Sequence, residues 1–439
     1  MVEDLSGDPS GPGDSTAPRL SVRQAAFIGV GSMVGAGIFA LLGSAGEVAG
    51  AAVWVSFLLA GIVAVLQGYS FAKLGARYPS GGGFLEYVIR GWGDGHFTGA
   101  IAWMLLAVNA IITAMVAVSF GSYASDAFTN DDAWVKPFAV LVLLVMTALN
   151  VLGSRTVARA QTVVVVVVVG ILTVFSVATL SSADRDLLAF SGYPPFADIV
   201  SSVALTFFAF LGFGVITFTA KDLADPQRQL PRAVYLALGI ATVVYLGVSI
   251  GVFGTLTVQE VIDSGGTALA VAAEPTLGQA GYWMMTVTAL FATAGATNSG
   301  LYPATGLADE MAARGQFPPA MGARVGRRAS TGIVTTAIAA IVLAVFFDLN
   351  AIASIGSAVA LVVFALVTLG HLRIRQETGA NLWVLLVADL TTVVVLVSFT
   401  VTTLVDEPGT LVALLVILAL SVALDLIWKS HRPDPAQAS

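Results

Sequence analysis

Twelve apolar stretches, each near the length of a membrane-crossing helix, constrain this chain more than any other feature of its sequence. A helix of about 20 residues crosses the hydrocarbon core of a bilayer, where the backbone has to satisfy its own hydrogen bonds. The stretches predicted to cross are residues 24–48, 51–74, 97–123, 135–153, 160–181, 197–220, 232–254, 279–304, 330–347, 349–370, 380–404 and 409–428. The sequence therefore predicts an all-α integral membrane protein with twelve transmembrane helices.

Charged residues are too few to cover a water-soluble surface. They make up 11% of the chain, whereas an average soluble domain carries about 25%. Cysteine is absent, which excludes disulfides, thiolate nucleophiles and cysteine-ligated metals. The three histidines fall in predicted cytoplasmic segments, and the sequence contains neither HExxH nor GxSxG. We therefore expect no enzyme activity, no metal, no cofactor and no nucleic-acid partner.

Three of the predicted helices need an argument beyond hydropathy. The ninth and tenth are divided only around residues 348–350, and their joined length of about 40 residues is twice that of one crossing. A hairpin is predicted there. The fifth contains seven consecutive valines, residues 163–169. In water such a run favours a buried strand, but its apolar extent of about 20 residues favours a helix in lipid.

The basic residues divide unevenly between the two sides of this layout. Eighteen of the twenty lysines and arginines fall on the side of the termini, and Lys136 and Arg185 fall on the other. Because positive charge is retained on the cytoplasmic side, both termini are predicted in the cytoplasm and the chain in the cytoplasmic membrane. Residues 1–18, rich in Gly, Pro, Ser and Asp, are predicted as a disordered cytoplasmic tail, and residues 429–439 as a second cytoplasmic tail.

Two glycine clusters lie in the middle of predicted spans one and six, at residues 29–39 and 210–216. Glycine is unfavourable inside a helix because it loses the most backbone freedom on folding, so the clusters predict interruptions. An interrupted helix leaves free N–H groups at the start of one half and free C=O groups at the end of the other. The N–H groups suit a carboxylate and the C=O groups an ammonium, so together they suit a zwitterionic amino acid.

Both clusters share a GxG-aliphatic sequence, at residues 35–38 and 212–215, five predicted spans apart. A repeat of an odd number of helices places its second copy upside down, which is the plan of many secondary transporters. For either cluster alone, helix packing is the alternative, because Gly31 and Gly35 also form a small-xxx-small pattern.

Asp389 is the one ionisable residue that the layout places deep in the membrane. It lies about nine residues, or roughly 13 Å, from the cytoplasmic start of span eleven. A carboxylate at that depth is a candidate for ion coupling. The alternative is a protonated side chain that bonds a neighbouring helix or lies at an oligomer contact.

Four sequence segments resemble the amino acid–polyamine–organocation (APC) permeases. Residues 31–39 read GSMVGAGIF, residues 207–213 read FFAFLGF, residues 225–233 read DPQRQLPRA and residues 73–82 read KLGARYPSGG. Residues 312–325, with their FPP triplet, are similar to the loop after span eight in that family. The similarity extends over nearly the whole chain after residue 20.

The resemblance implies a leucine-transporter-like fold, in which two inverted five-helix repeats are followed by two further helices. The repeats are then residues 19–185 and 186–375, and helices eleven and twelve occupy residues 376–428. Helices one and six are broken, and one bundle rocks against the other to give alternating access. The substrate carboxylate lies on the break of helix one, and its ammonium meets carbonyls of both breaks. The substrate-binding residues implied are Met33, Gly35, Ala36, Gly37, Phe208, Leu211 and Gly212, with Phe208 as candidate gate.

Two positions depart from the family pattern. Many relatives carry an acidic residue where this chain has Gly214, and some proton-coupled members carry a lysine in span five, where Val168 is nearest. A pocket without these charges favours neutral amino acids over arginine or polyamines. Asn109 in span three and Asn298 in span eight are expected to reach the substrate side chain. Interhelical hydrogen bonding is the alternative for both.

The hypothesis that results is a secondary active transporter of amino acids, neutral ones in preference, with alternating access. Proton coupling is in doubt because of the two departures, Na⁺ is the less favoured ion, and Asp389 is the candidate coupling residue. An amino acid exchanger and a polyamine or cationic amino acid transporter are alternatives of the same fold. A channel or sensor without coupled transport is a more distant one. The sequence leaves the oligomeric state open.

Overall fold

The computed structural model describes residues 20–80, 82–152, 155–325, 329–405 and 408–431. The predicted tail 1–18, most of the tail 429–439 and the loop residues 406–407 lie outside these ranges. The helices are α1 (Val22–Ala36), α2 (Ile38–Ala49), α3 (Val53–Arg77), α4 (Phe84–Trp92), α5 (His96–Phe128), α6 (Val135–Leu152), α7 (Arg155–Ser181), α8 (Phe196–Phe208), α9 (Phe213–Thr217), α10 (Pro226–Phe253), α11 (Val258–Ser264), α12 (Ala268–Ala313), α13 (Thr331–Phe346), α14 (Leu349–Thr378), α15 (Leu382–Phe399) and α16 (Pro408–Ser430).

Nine helical segments among the described residues are long and apolar enough to cross a membrane. Helix α13 is apolar but shorter, with 16 residues. Helix α12 has 46 residues and bends at Gly278, whose φ of 67° lies in the left-handed region. That bend falls one residue before the predicted start of span eight. The chain is thus a multi-pass membrane protein built almost wholly of helices.

A two-stranded antiparallel hairpin departs from the all-α prediction. Strand β1 (Arg324–Val325) pairs with β2 (Ala329–Ser330), and Arg324 lies opposite Ser330. Two residues per strand are too few to show the alternating pattern that predicts a strand from sequence. The hairpin leads from α12 into α13 and leaves the helical architecture unchanged.

Capping side chains decide where several helices begin. The Ser21 side chain accepts a hydrogen bond from the Gln24 N–H, and the Ser21 N–H donates one to the Gln24 Oε1, which forms a capping box before α1. Asp348 accepts from the Ala351 N–H and begins α14 two residues after α13 ends. A break between two helices is therefore present where the sequence predicts one, around residues 348–350. Each side chain satisfies a backbone donor that a helix start leaves unpaired.

The valine-rich stretch is helical, as its length predicts. It lies within α7, where Val165 and Val168 are buried while Val163, Val166 and Val167 are exposed at the surface that would face lipid. Burial at positions three residues apart is the periodicity of a helix face.

The segment formed by α8 and α9 lies at the centre of the bundle. In this segment, Phe196–Thr217, 94% of the apolar stretch is buried, compared with 17% at Asp132–Leu152 and 22% at Pro408–Ser430. Helix α1 packs against α12, α10, α9 and α7. Both glycine-rich segments are therefore enclosed by other helices, which is where irregular backbone is tolerated at membrane depth.

An ion-pair cluster ties α4 to the end of α12. Arg314 forms ion pairs with Glu86 of α4 and with Glu310 of α12, and Glu86 also pairs with Arg90 at 2.8 Å. The Glu86 side chain is 6% exposed and that of Arg90 is 53% exposed. Burial acts to lower the pKa of Arg314, but hydrogen bonds and charges of Glu310 and Glu86 outweigh it and raise that pKa. Arg314 therefore stays charged.

We expect Glu86→Gln to destabilise the protein more than Arg90→Gln. Loss of the buried carboxylate leaves Arg314 with one acidic partner and costs about 1–3 kcal/mol, whereas an exposed ion pair contributes less than about 1 kcal/mol. The measurement is the thermal unfolding midpoint of both purified variants in detergent. Equal midpoints would show that the cluster does not brace α4.

Candidate functional site

The first helix of the bundle is interrupted at a single residue, Gly37. Helix α1 ends at Ala36 and α2 begins at Ile38, while Gly37 has φ −90° and ψ −72°. The Gly37 N–H still donates to the Met33 carbonyl at 2.8 Å. The interruption is thus much shorter than the glycine cluster predicts, and the start of α2 lacks a hydrogen bond from any capping side chain.

The second interruption is longer and separates α8 from α9. Residues 209–212 are wound more tightly than an α-helix, because Phe210, Leu211 and Phe213 each donate to the carbonyl three residues earlier, at 2.9, 3.2 and 3.0 Å. Such bonding is typical of 3₁₀ turns, which often mark hinges inside helices. The interruption falls on the second glycine cluster.

The two interruptions cross each other in direct contact. A Cβ added at Gly212 would lie 2.5 Å from the Met33 nitrogen and 2.7 Å from the Ser32 carbonyl carbon. A Cβ added at Gly37 would lie 2.9 Å from Ala209 Cα and 2.7 Å from the Tyr245 hydroxyl. Only glycine lets the backbones approach this closely. We call this contact of residues 32–37 with residues 209–212 the crossing.

Backbone groups rather than charged side chains define the chemistry of the crossing. The N–H groups at the start of α2 belong to Ile38 and Phe39, one residue beyond the predicted Gly35, Ala36 and Gly37. A helix start of this kind attracts a carboxylate. The free N–H groups therefore lie one residue further along the chain than the glycine cluster predicts, because α1 continues through Ala36.

The carbonyls predicted to meet an ammonium each already accept one backbone hydrogen bond. The donors are Gly37 N–H to Met33 at 2.8 Å, Leu211 N–H to Phe208 at 3.2 Å and Gly214 N–H to Leu211 at 3.0 Å. A carbonyl oxygen has two lone pairs, so each keeps one acceptor position. Tyr245, which the sequence did not single out, donates its hydroxyl hydrogen to the Ala209 carbonyl at 3.0 Å.

Phe208 is buried at the end of α8, with 2% of its surface exposed. A Cβ added at Gly356 of α14 would lie 2.5 Å from the Phe208 ring and 2.6 Å from the Ile111 side chain of α5. The ring therefore lies wedged between α5 and α14, immediately before the second interruption. Absence of a side chain at position 356 makes room for it.

The two predicted asparagines differ in their surroundings. Within the described residues the Asn109 Nδ2 group has no hydrogen-bond partner, while the carbonyl of Asn109 accepts from Thr113 at 2.7 Å. The Asn298 Oδ1 accepts from Asn150 Nδ2 of α6 at 2.7 Å. The structure thus pairs Asn298 with a neighbouring helix. Asn150 was not predicted, since a partner on another helix cannot be read from sequence spacing.

Asp389 does not lie at the crossing. It is half-buried on α15, which packs mainly against α14, α8 and α3. Within the described residues, its Oδ1 atom has no hydrogen-bond partner. Next to it, the Ala388 carbonyl accepts from the Gln67 side chain of α3 at 3.2 Å. A coupling role for Asp389 would therefore have to act through helix packing.

An apolar cleft lies beside the crossing, between α1, α7 and α12. Gly31 and Gly35 form its α1 wall, and Val168 with its neighbours forms the α7 wall. A Cβ added at Gly35 would lie 2.5 Å from Ala296 Cβ of α12. The position where some relatives carry a lysine thus faces a cleft with almost no polar lining.

The end of the bundle near residue 20 is closed around α1. The Leu20 N–H donates to the Asp222 carbonyl at 2.9 Å. A Cβ added at Gly29 would lie 2.6 Å from the Ile216 side chain. Helix α1 and the segment around α9 are therefore held together between the crossing and this end.

A polar cavity of about 270 Å³ opens at the other end of the bundle. It lies where α2 and α15 end and where α8 and α14 begin, and we call it the vestibule. Its lining includes Ser44, Glu47, Asp198, Leu205, Asn350, Ser354, Thr402 and Thr403. Leu205 precedes Phe208 by three residues, about 4.5 Å along a helix, so Phe208 lies on α8 between the vestibule and the crossing.

A sequence model described as "Amino acid permease" matches residues 20–429. Among curated proteins, the chain is 31% identical over 423 residues to the inner membrane transport protein YbaT of Escherichia coli (strain K12), covering 96% of this chain and 98% of that protein. It is 29% identical over 394 residues to the vacuolar cationic amino acid transporter 2 of Arabidopsis thaliana, covering 83% of this chain and 60% of the relative.

Among solved structures, the fold is similar to that of a manganese transporter from Eremococcus coleocola. The TM-score is 0.62 at 14% sequence identity, and the match covers 93% of both chains. Identity this low establishes a shared fold alone.

Proposed function

The chain belongs to the amino acid permease family, and from that premise we propose that it is a secondary active transporter of amino acids. Neutral amino acids are the preferred substrates, and alternating access moves them across the cytoplasmic membrane. The observation that carries the proposal is the crossing, where two interrupted helices present a helix start and backbone carbonyls without any charged side chain. These groups match the carboxylate and ammonium of a zwitterion.

The proposed architecture has twelve transmembrane helices. Spans one to five and six to ten form the two inverted repeats, at residues 19–185 and 186–375. The interrupted pairs α1–α2 and α8–α9 occupy equivalent positions, the first helix of each repeat. Both termini lie in the cytoplasm, because eighteen of the twenty lysines and arginines lie on their side of this layout. The vestibule then opens to the outside.

In the described conformation the crossing is closed towards both sides of the membrane. Phe208 lies on α8 between the vestibule and the crossing, and α1 is held against the segment around α9 on the cytoplasmic side. In the cycle we propose, Phe208 rotates or moves with α8 to admit the substrate. The cytoplasmic contacts of α1 then open to release it.

Cationic amino acids are the second candidate substrates, since relatives in Arabidopsis thaliana are named cationic amino acid transporters. At the crossing, the position that is acidic in many relatives is Gly214, and the side chains of Met33, Phe208 and Leu211 are uncharged. A lysine or arginine side chain would therefore lack a counter-ion there. This absence favours neutral substrates.

We propose that Asp389 couples transport to H⁺ or Na⁺. It would act through the contacts that α15 makes with the neighbouring helices. Val168 faces an apolar cleft, so span five offers no titratable group beside the crossing. An exchanger, which needs no coupling ion, is the alternative that this arrangement supports.

We expect purified protein in liposomes to take up neutral amino acids with saturation and trans-stimulation. Uptake is measured across a panel that includes leucine, alanine, lysine, arginine and putrescine, with imposed pH or Na⁺ gradients and without them. Protein-free liposomes are the control. Preferential uptake of lysine or putrescine would overturn the assignment to neutral substrates, and flux that rises linearly with concentration would indicate a channel.

A further inference from the structure

The vestibule has a mixed polar and apolar lining that includes two carboxylates. Glu47 lies in the last turn of α2, and Asp198 lies in the first turn of α8. Within the described part of the chain, neither carboxylate forms an ion pair with a basic side chain. The lining has no basic residue. Two unpaired negative charges beside one cavity favour a positively charged occupant.

Hydrogen bonds hold the neutral groups of the vestibule in place. Ser44 donates to the Asn350 Oδ1 at 2.5 Å, and Asn350 Nδ2 donates to Glu47 at 3.2 Å. These two hydrogen bonds hold the Glu47 carboxylate between α2 and α14, and its second oxygen has no hydrogen-bond partner among the described residues. On the opposite side of the vestibule, Thr402, which follows α15, donates to Ser201 of α8 at 2.5 Å. This hydrogen bond ties the end of α15 to α8.

Ser354 supplies an observation independent of the carboxylates. The residue is only 3% exposed and lines the vestibule one helical turn below Asn350. Its hydroxyl takes part in none of the hydrogen bonds found among the described residues, and it lines the cavity. A serine hydroxyl can both donate and accept a hydrogen bond, so this one is available to a ligand in the vestibule.

The helix that carries Thr402 and Thr403 changes its winding at the vestibule. Residues Thr400–Leu404 form a π-helical turn after α15. Such turns are rare and occur frequently at functional sites. Here the turn brings Thr402 and Thr403 to the cavity wall.

We propose that the vestibule is a binding site for primary ammonium groups, which captures the amino group of a substrate before Phe208 admits it to the crossing. Glu47 and Asp198 supply the charge, and Ser354 with Asn350 accepts the ammonium hydrogens. The inference rests on the proposed function for the nature of the substrate. A site of this kind attracts an amine without a carboxylate, whereas the crossing needs both groups.

A metal ion is the less suitable occupant. No group of three or more His, Cys, Asp or Glu side chains that could hold a metal is found among the described residues. The volume of about 270 Å³ lies just below the range of about 300–1,000 Å³ for pockets that bind drug-sized ligands. A single small amine therefore fits the cavity better than a bare ion.

The lack of native cysteine allows a direct test with one introduced thiol. Ser354→Cys is labelled in detergent with a cationic methanethiosulfonate (trimethylammonium-ethyl) and with an anionic one (sulfonatoethyl), and both rates are divided by those of free cysteine. We expect the cation to react about tenfold faster, since a cleft of one charge sign concentrates counter-ions. Thr403→Cys is the second reporter if Ser354→Cys does not fold.

Neutralisation and protection complete the experiment. Glu47→Gln with Asp198→Asn should remove the preference for the cationic reagent, while Asp263→Asn in the exposed α11 should keep it. The probe 3-methylbutylamine should slow labelling, and 4-methylpentanoate should not. Equal rates for both reagents, no labelling at either reporter, or protection by the carboxylate would each overturn the proposal. Because labelling requires no transport, protection without uptake would refute only the proposed function, and uptake without protection only the vestibule site.

Discussion

Gly212→Ala is expected to reduce substrate binding by about ten- to a hundredfold. The new methyl group would lie 2.5 Å from the Met33 nitrogen and 2.7 Å from the Ser32 carbonyl carbon. These are backbone atoms, which cannot rotate away as a flexible side chain can. The two interrupted helices would have to separate. Overpacking of this kind costs about 1–3 kcal/mol, and each 1.4 kcal/mol corresponds to about a tenfold change in affinity.

Gly37→Ala tests the other contact of the crossing and should act in the same direction. Its methyl group would meet Ala209 Cα at 2.9 Å and the Tyr245 hydroxyl at 2.7 Å. The methyl group would also approach Ala209 Cβ, which is fixed to the backbone, so the loss is expected to be as large as for Gly212→Ala. The hydrogen bond from Tyr245 to the Ala209 carbonyl would weaken as well.

The control is Gly239→Ala on the exposed side of α10. A Cβ added there meets nothing within 4 Å, so the same chemical change disturbs no contact. Binding is measured by isothermal titration with the neutral amino acid that the uptake panel identifies, on variants that elute as a single peak in size-exclusion chromatography. Unchanged affinity in Gly212→Ala and Gly37→Ala would mean that the substrate binds elsewhere.

Hydropathy and glycine content predict the helices and the places where two of them are interrupted. Both features are local, because twenty apolar residues or a GxG sequence act on the backbone that contains them. The length of an apolar stretch also predicts that the valine-rich residues are helical and that the chain breaks before Leu349. The hairpin of β1 and β2 was missed because two residues per strand carry no periodicity.

The detailed geometry of the crossing depends on contacts between distant segments, which the sequence does not display. Continuation of α1 through Ala36 depends on the helices packed around it, so Gly37 alone marks the break. Asn298 pairs with Asn150, a residue 148 positions away. The vestibule combines Glu47, Asp198 and Ser354 from three separate helices. The layout places both carboxylates near span ends, but no sequence rule brings them together.

Phe208→Ala is expected to raise the substrate KM by about ten- to a hundredfold, which distinguishes a gate from a packed side chain. The ring lies between the vestibule and the crossing, against Gly356 of α14 and Ile111 of α5. If it covers the bound substrate, its removal exposes the substrate to water and speeds dissociation. Burial of a phenylalanine side chain contributes about 1.5–3 kcal/mol, which corresponds to about that change in affinity.

Phe207→Ala is the matched control, because Phe207 is fully buried on the same helix turn and packs edge-on against Phe364 with ring centroids 5.6 Å apart. Loss of either ring removes a similar apolar area and should lower the unfolding temperature similarly, since truncation of a buried phenylalanine costs about 3–5 kcal/mol. Uptake kinetics in liposomes and thermal unfolding in detergent are measured for both variants. If Phe208 is a gate, KM changes in Phe208→Ala and not in Phe207→Ala. If the two variants have equal KM values and lose equal stability, Phe208 is a packing residue. Closure of the crossing towards the vestibule would then have to come from movement of α8 and α14 as a whole.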